Sequence, residues 1–189
     1  AGLFLLTFLL AELGKRRHSL PAEVTRKFVH LGAGVLVAVL PCFFTSIATV
    51  ALLSLSFFGI LLGSRLLGLL PSVHGVERRS AGAFAYPLSV LGVLVLSGGG
   101  GILFSIPVLV LAFSDALAAV VGKAYGRVHF RIYDQTRSLE GSAVFLITTF
   151  LVIHVPLSLS GRVGPAESLL IALLLAFLVT CFEAIAVGG

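Results

Sequence analysis

Charge is scarce in this sequence: only 11% of its 189 residues are Asp, Glu, Lys or Arg, against 58% hydrophobic. That shortage excludes a water-soluble domain, which at this length needs far more polar surface. Mean hydropathy is +1.14, and lipid is the solvent that accepts such a surface. Cysteine is scarce too. Cys42 and Cys181 have no partner at metal or disulfide-framework spacing and read as small hydrophobes. Methionine is absent, even at position 1. The chain starts inside an apolar run, Ala1 to Ala11, too short to span alone, and stops in an apolar context at Gly189. Both ends are therefore expected to be incomplete, with a flanking helix lacking. No charged n-region or cleavage-site pattern supports a processed signal peptide. No repeat at solenoid period is present.

What charge there is has a pattern. Apolar runs fall at about 1–13 (partial), 28–44, 46–63, 82–97, 102–121, 139–160 and 166–187. Most approach the roughly 20 residues that cross a ~30 Å hydrocarbon core, and backbone satisfaction in lipid requires helices. The expected fold is all-α: a single polytopic transmembrane domain over 1–189 with about seven helices. Three connections, about 14–27, 64–81 and 122–138, carry twelve of the 13 basic residues. The connections between them are short and hold only Arg162. If helix directions alternate, the basic loops share one side, and the positive-inside rule makes that side cytoplasmic. Topology thus accounts for the net charge of +5 and pI of about 9.8, and no nucleic-acid-binding signature accompanies them. The tract Ser97-Gly98-Gly99-Gly100-Gly101 lacks the Lys-Ser/Thr of a phosphate loop and reads as a tight turn.

Three segments hold polar groups that a purely structural membrane protein would not need. In Arg26-Lys27-Phe28-Val29-His30-Leu31-Gly32-Ala33-Gly34, helical spacing puts Arg26, His30 and Gly34 on one face. The segment suits either a phosphate clamp at a helix mouth or a snorkelling basic anchor with an interfacial His. The second segment runs from Ser114-Asp115 to Gly126-Arg127. Asp115 lies about two turns inside the end of an apolar helix, where a charged Asp near mid-bilayer costs roughly 2.5–3.5 kcal/mol. Gly122 and Gly126, interleaved with Lys123 and Arg127, would admit and neutralise a phosphate. Asp115 would hold Mg²⁺ or take a proton from a hydroxyl; an interhelical polar contact beside a helix-ending Gly is the structural alternative. In the third, Asp134 to Ser142, Ser138 is an N-cap candidate and Glu140 lies in the first turn. Arg137 with that helix N-terminus would make an anion site, and Glu140 would share a cation with Asp115. Glu77 and Arg78 are minor candidates, and Glu183 is an acid inside an apolar run. His74, His129 and His154 show no ligand spacing.

On these residues the sequence resembles the CTP-dependent lipid-alcohol kinases: dolichol kinase, phytol and farnesol kinase, and the yeast-type diacylglycerol kinase. These are related to phosphatidate cytidylyltransferases. The matching elements are Arg26-Lys27-x-x-His30-x-x-x-Gly34, Glu77-Arg78 leading to Tyr86-Pro87, Ser114-Asp115 with Gly122-x-x-x-Gly126, and Ser138-Leu139-Glu140-Gly141-Ser142. Together they span about 26–183. Glu183 resembles the acid before a late Gly-Asp-Asn element, whose Asp-Asn would fall beyond Gly189. Arg137 stands where such proteins often have Lys, which keeps the charge but changes its geometry.

The resemblance implies Mg²⁺-dependent transfer of the γ-phosphoryl group of CTP, or another NTP, to an isoprenoid or diacylglycerol hydroxyl. It implies catalytic roles for Asp115, Lys27 and His30. Nucleotide binding would fall to Arg26, Ser114, Gly122, Lys123, Gly126, Arg127, Arg137, Ser138 and Gly141, and metal binding to Asp115, Glu140 and Glu183. The partners would be a membrane lipid and a nucleotide; the oligomeric state stays open, a homodimer included. A cytidylyltransferase would use the same groups and release pyrophosphate. A non-enzymatic lipid transporter would need a polar path across the membrane, which acids confined to the cytoplasmic halves do not provide.

Overall fold

The computed structural model describes residues 6–7, 22–44, 46–66, 82–133 and 135–186. The chain divides into two compact units, one up to Val108 and one from Leu109 to Val187.

The first unit contains α1 (Ala22–Phe43), α2 (Ile47–Leu66), α3 (Gly82–Leu96) and most of α4 (Ile102–Leu109). Its buried residues include Val29, Ala33 and Val37, Val50, Val90 and Leu94, and Phe104. The spacing within α1 and α3 is that of one helical face. Ser105 donates its hydroxyl to the Ala38 carbonyl at 2.8 Å, satisfying a polar group without water. The glycine tract is a tight turn between α3 and α4. Gly98, Gly99, Gly100 and Gly101 all have φ between 70° and 148°, backbone that side chains rarely adopt.

The second unit contains a π turn (Val110–Ser114), α5 (Asp115–Tyr125), strands β1 (His129–Ile132) and β2 (Gln135–Ser138), α6 (Leu139–Leu159) and α7 (Pro165–Ile185). The helix is continuous from Ile102 to Tyr125, and Pro107 removes one backbone donor a turn before the π segment. The inner face of α6 is Gly141, Phe145, Thr149 and Ile153; that of α7 is Ser168, Ala172 and Ala176. Large apolar side chains point the other way: Leu170, Leu174 and Phe177 on α7 are more than half exposed. Small residues inward and large ones outward suit helices that meet each other closely and face lipid. At the α6–α7 end His154 Nδ1 lies 3.0 Å from Ser168 Oγ, which Ser158 reaches at 2.9 Å, so this histidine belongs to a structural polar cluster.

Among the described residues, three helices are long and apolar enough to cross a membrane: Ile102–Tyr125, Leu139–Leu159 and Pro165–Ile185. The expected seven spans are therefore met in part. The runs in α1, α2 and α3 form shorter apolar helices, Lys27–Pro41, Ile47–Ile60 and Tyr86–Leu96. The first run lies outside the described residues apart from positions 6–7.

The all-α expectation needs one correction, in the third basic loop. Helix α5 runs on to Tyr125, and β1 and β2 form an antiparallel hairpin pairing His129 with Ser138 and Ile132 with Gln135. His129-Phe130-Arg131-Ile132 alternates exposed and half-buried residues, the period of a strand. Tyr133, at the bend, has φ 52°, a left-handed conformation that short hairpin turns require.

Candidate functional site

Most of the residues singled out in sequence gather where α5, the hairpin, α6 and the end of α7 meet. Strand β2 runs directly into α6, and Ser138 is the last residue of one and the cap of the other. Its φ of −103° and ψ of 145° are extended, and its Oγ accepts the Gly141 amide at 3.1 Å. This is the N-cap read from the sequence. In the first turn, Glu140 Oε1 accepts the Val128 amide at 3.3 Å, tying the helix start to the hairpin entry. Glu140 Oε2 is buried and meets no hydrogen-bond donor among the described residues.

The glycines bring the helices together. A Cβ on Gly141 would stand 3.1 Å from the Ala118 carbonyl oxygen and 3.2 Å from the Gly122 Cα. One on Gly122 would stand 2.8 Å from Ser138 Oγ. All three distances are too close for ordinary packing, so α5 and α6 approach backbone to backbone. Close approach accounts for these glycines without a ligand.

Ser114 is fully buried at the end of the π turn and accepts a hydrogen bond from Thr149 of α6 at 2.9 Å. Its hydroxyl is thus engaged within the bundle. The π turn adds one residue to the helical path and so resets which residues face inward. Asp115 follows at once, half-buried, and its charge acts on Arg137. Lys123 and Arg127 are exposed.

Arg137 links the hairpin to α7. Its Nη1 forms an ion pair with Glu183 Oε1, and its Nη2 donates to the Ala186 carbonyl at 3.1 Å. That carbonyl belongs to the helix C-cap, where the helix dipole is negative. Burial lowers the pKa of the Arg137 guanidinium, and the Asp115 charge opposes that effect. Arg137 Nε is buried and meets no acceptor among the described residues.

The remaining candidates lie in the first unit. Arg26, Lys27 and His30 are on α1. The His30 ring meets the Tyr86 ring of α3 edge-on, with centroids 5.1 Å apart and planes at 68°. Tyr86 is buried, and its hydroxyl has no partner among the described residues. A buried polar group left unmet costs about 1–3 kcal/mol. Tyr86→Phe is therefore expected to stabilise the protein by about 1 kcal/mol, read as a higher unfolding midpoint in detergent. A lower midpoint would mean that the hydroxyl is satisfied after all. Glu77 and Arg78 lie outside the described residues.

Among the described residues no three His, Cys, Asp or Glu side chains cluster closely enough to form a metal site. Asp115, Glu140 and Glu183 are therefore not a ready-made cage. Sequence reasoning missed Thr149, the Ala186 carbonyl and the pairing of Arg137 with Glu183. The acid inside an apolar run was the one available signal for that pairing.

The chain is 40% identical over 158 residues to a phytol kinase of Synechocystis sp., covering 79% of this chain and 65% of that protein. It thus spans just under two thirds of that relative's length. Phytol kinase is among the members named by the motif resemblance, and the match bears that resemblance out. No family model matches the chain, and no solved structure does.

Proposed function

We propose that this chain, as a relative of the lipid-alcohol kinases, transfers the γ-phosphoryl group of CTP or another NTP to the hydroxyl of a membrane isoprenoid alcohol. In that reaction the bond from the γ-phosphorus to the β-phosphate bridging oxygen breaks. A bond to the alcohol oxygen forms, and the hydroxyl proton passes to a base. The products are a lipid monophosphate and a nucleoside diphosphate. Such transfer needs mainly positioning and charge neutralisation.

The observation that carries the reading is a pair of unmet atoms on near-neighbouring residues at the junction of β2 and α6. Arg137 Nε–H is a buried donor and Glu140 Oε2 a buried acceptor, both without partners among the described residues. A phosphate accompanied by a cation would satisfy both. Divalent cations such as Mg²⁺ are commonly held by one or two carboxylates together with substrate phosphates. The free Glu140 oxygen fits that pattern, so Glu140, with Asp115 as second carboxylate, would hold the ion. Mg²⁺ would supply charge neutralisation on the phosphates. Arg137, Lys123 and Arg127 supply the protein's own cations. Asp115 accepts the hydroxyl proton. The alcohol enters from the lipid between helices, and the basic loops of the single membrane domain face the cytoplasm.

The test is an acceptor and nucleotide screen on purified protein in detergent or nanodiscs. Phytol, longer polyprenols and diacylglycerol are offered with each labelled NTP, with Mg²⁺ and after its chelation. A labelled lipid monophosphate formed with CTP supports the reading. Transfer to none of the acceptors refutes it, and pyrophosphate release would assign the site to a cytidylyltransferase. Lys27→Ala and His30→Ala in the same assay test the roles that the resemblance gives the first unit.

A further inference from the structure

Glu183 is an acid in the last turn of an apolar helix, and its partner is already visible. Arg137 gives its two terminal nitrogens to Glu183 and to the Ala186 carbonyl. The side chains of this pair are only 19% and 24% exposed, so water screens it less than a surface pair. Both acceptors belong to the end of one rigid helix. Arg137 itself stands on β2, held in register opposite Phe130. The guanidinium is thus fixed from both sides, and its planar fork leaves a definite remainder. Of its nitrogens, Nε alone is buried and without an acceptor among the described residues.

We propose that Glu183 and the Ala186 carbonyl are positioning groups for Arg137, holding its terminal nitrogens so that Nε–H is left for a phosphate oxygen of the bound nucleotide. This rests on reading the site as a nucleotide site, and it gives Glu183 a role other than metal ligation. A guanidinium serves here better than an ammonium because it can be anchored by one edge and still present another donor.

By charge alone, removing an acid near an anion site strengthens anion binding. If Glu183 positions Arg137, removing its charge weakens binding instead. Tripolyphosphate without any divalent cation is the probe, titrated calorimetrically into the whole chain in detergent. Wild type is expected to bind it, and Glu183→Gln to bind about tenfold more weakly, a loss of about 1.4 kcal/mol. Equal or tighter binding by Glu183→Gln overturns the proposal, as does absence of binding to wild type. Should Glu183→Gln fail to fold, Arg137→Lys decides. Lysine keeps the charge and can still meet Glu183, but it loses the second edge. Binding equal to wild type overturns the proposal, and a comparable loss supports it. Wild type that binds tripolyphosphate but phosphorylates no lipid alcohol would sink the kinase reading and leave this inference standing.

Discussion

Asp115→Asn is expected to cut phosphoryl transfer by about 100-fold or more, the usual scale for losing a positioned acid–base group, while leaving the protein folded. Two physical facts make the effect separable. A carboxylate inside an apolar helix costs roughly 2.5–3.5 kcal/mol on insertion scales if charged near mid-bilayer, so the neutral amide does not burden insertion. The neighbouring packing also has support of its own. Ser114 and Thr149, one residue before and one helix across, are fully buried and bonded to each other. The variant should therefore stay folded and lose turnover in the acceptor screen. In the proposed reaction the amide could neither accept the hydroxyl proton nor balance the Arg137 charge. Unchanged turnover would remove Asp115 from the chemistry.

Gly141→Ala is expected to cost about 1–3 kcal/mol of stability, the usual scale of overpacking. The added carbon would lie 3.1 Å from a backbone oxygen and 2.9 Å from the capping hydroxyl of Ser138. The backbone oxygen cannot swing away, and moving Ser138 would loosen the bond to the Gly141 amide. A drop in unfolding midpoint with and without nucleotide marks Gly141 as a packing residue. An unchanged midpoint with a selective loss of nucleotide affinity would return it to the phosphate site.

Much of the helical layout was legible because lipid imposes one rule on each segment. The runs expected at 139–160 and 166–187 are observed as helices Leu139–Leu159 and Pro165–Ile185. Ser138 was legible as a cap because an N-cap is a local device of one side chain and one nearby amide. The hairpin was not, because two strands of four residues give too short a period to stand out among charges. The pairing of Arg137 with Glu183 joins residues 46 apart, and only the fold brings them together. Gly122 and Gly141 carried an ambiguity intrinsic to glycine: the same missing side chain admits a phosphate or a neighbouring helix. The distances show the neighbouring helix in that space: Ser138 and the facing backbone already occupy the place a side chain would take.

The π turn at Val110–Ser114 makes the helix count residues. An α-helix advances about 100° per residue. Removing one residue within the turn and restoring regular α-helix would swing the preceding segment by about that angle relative to Asp115. Exchanging one apolar residue for another there changes little by comparison. The constraint on this stretch is thus one of length more than of composition. A single-codon deletion among interchangeable hydrophobic residues would leave the helix continuous and put its two parts out of phase.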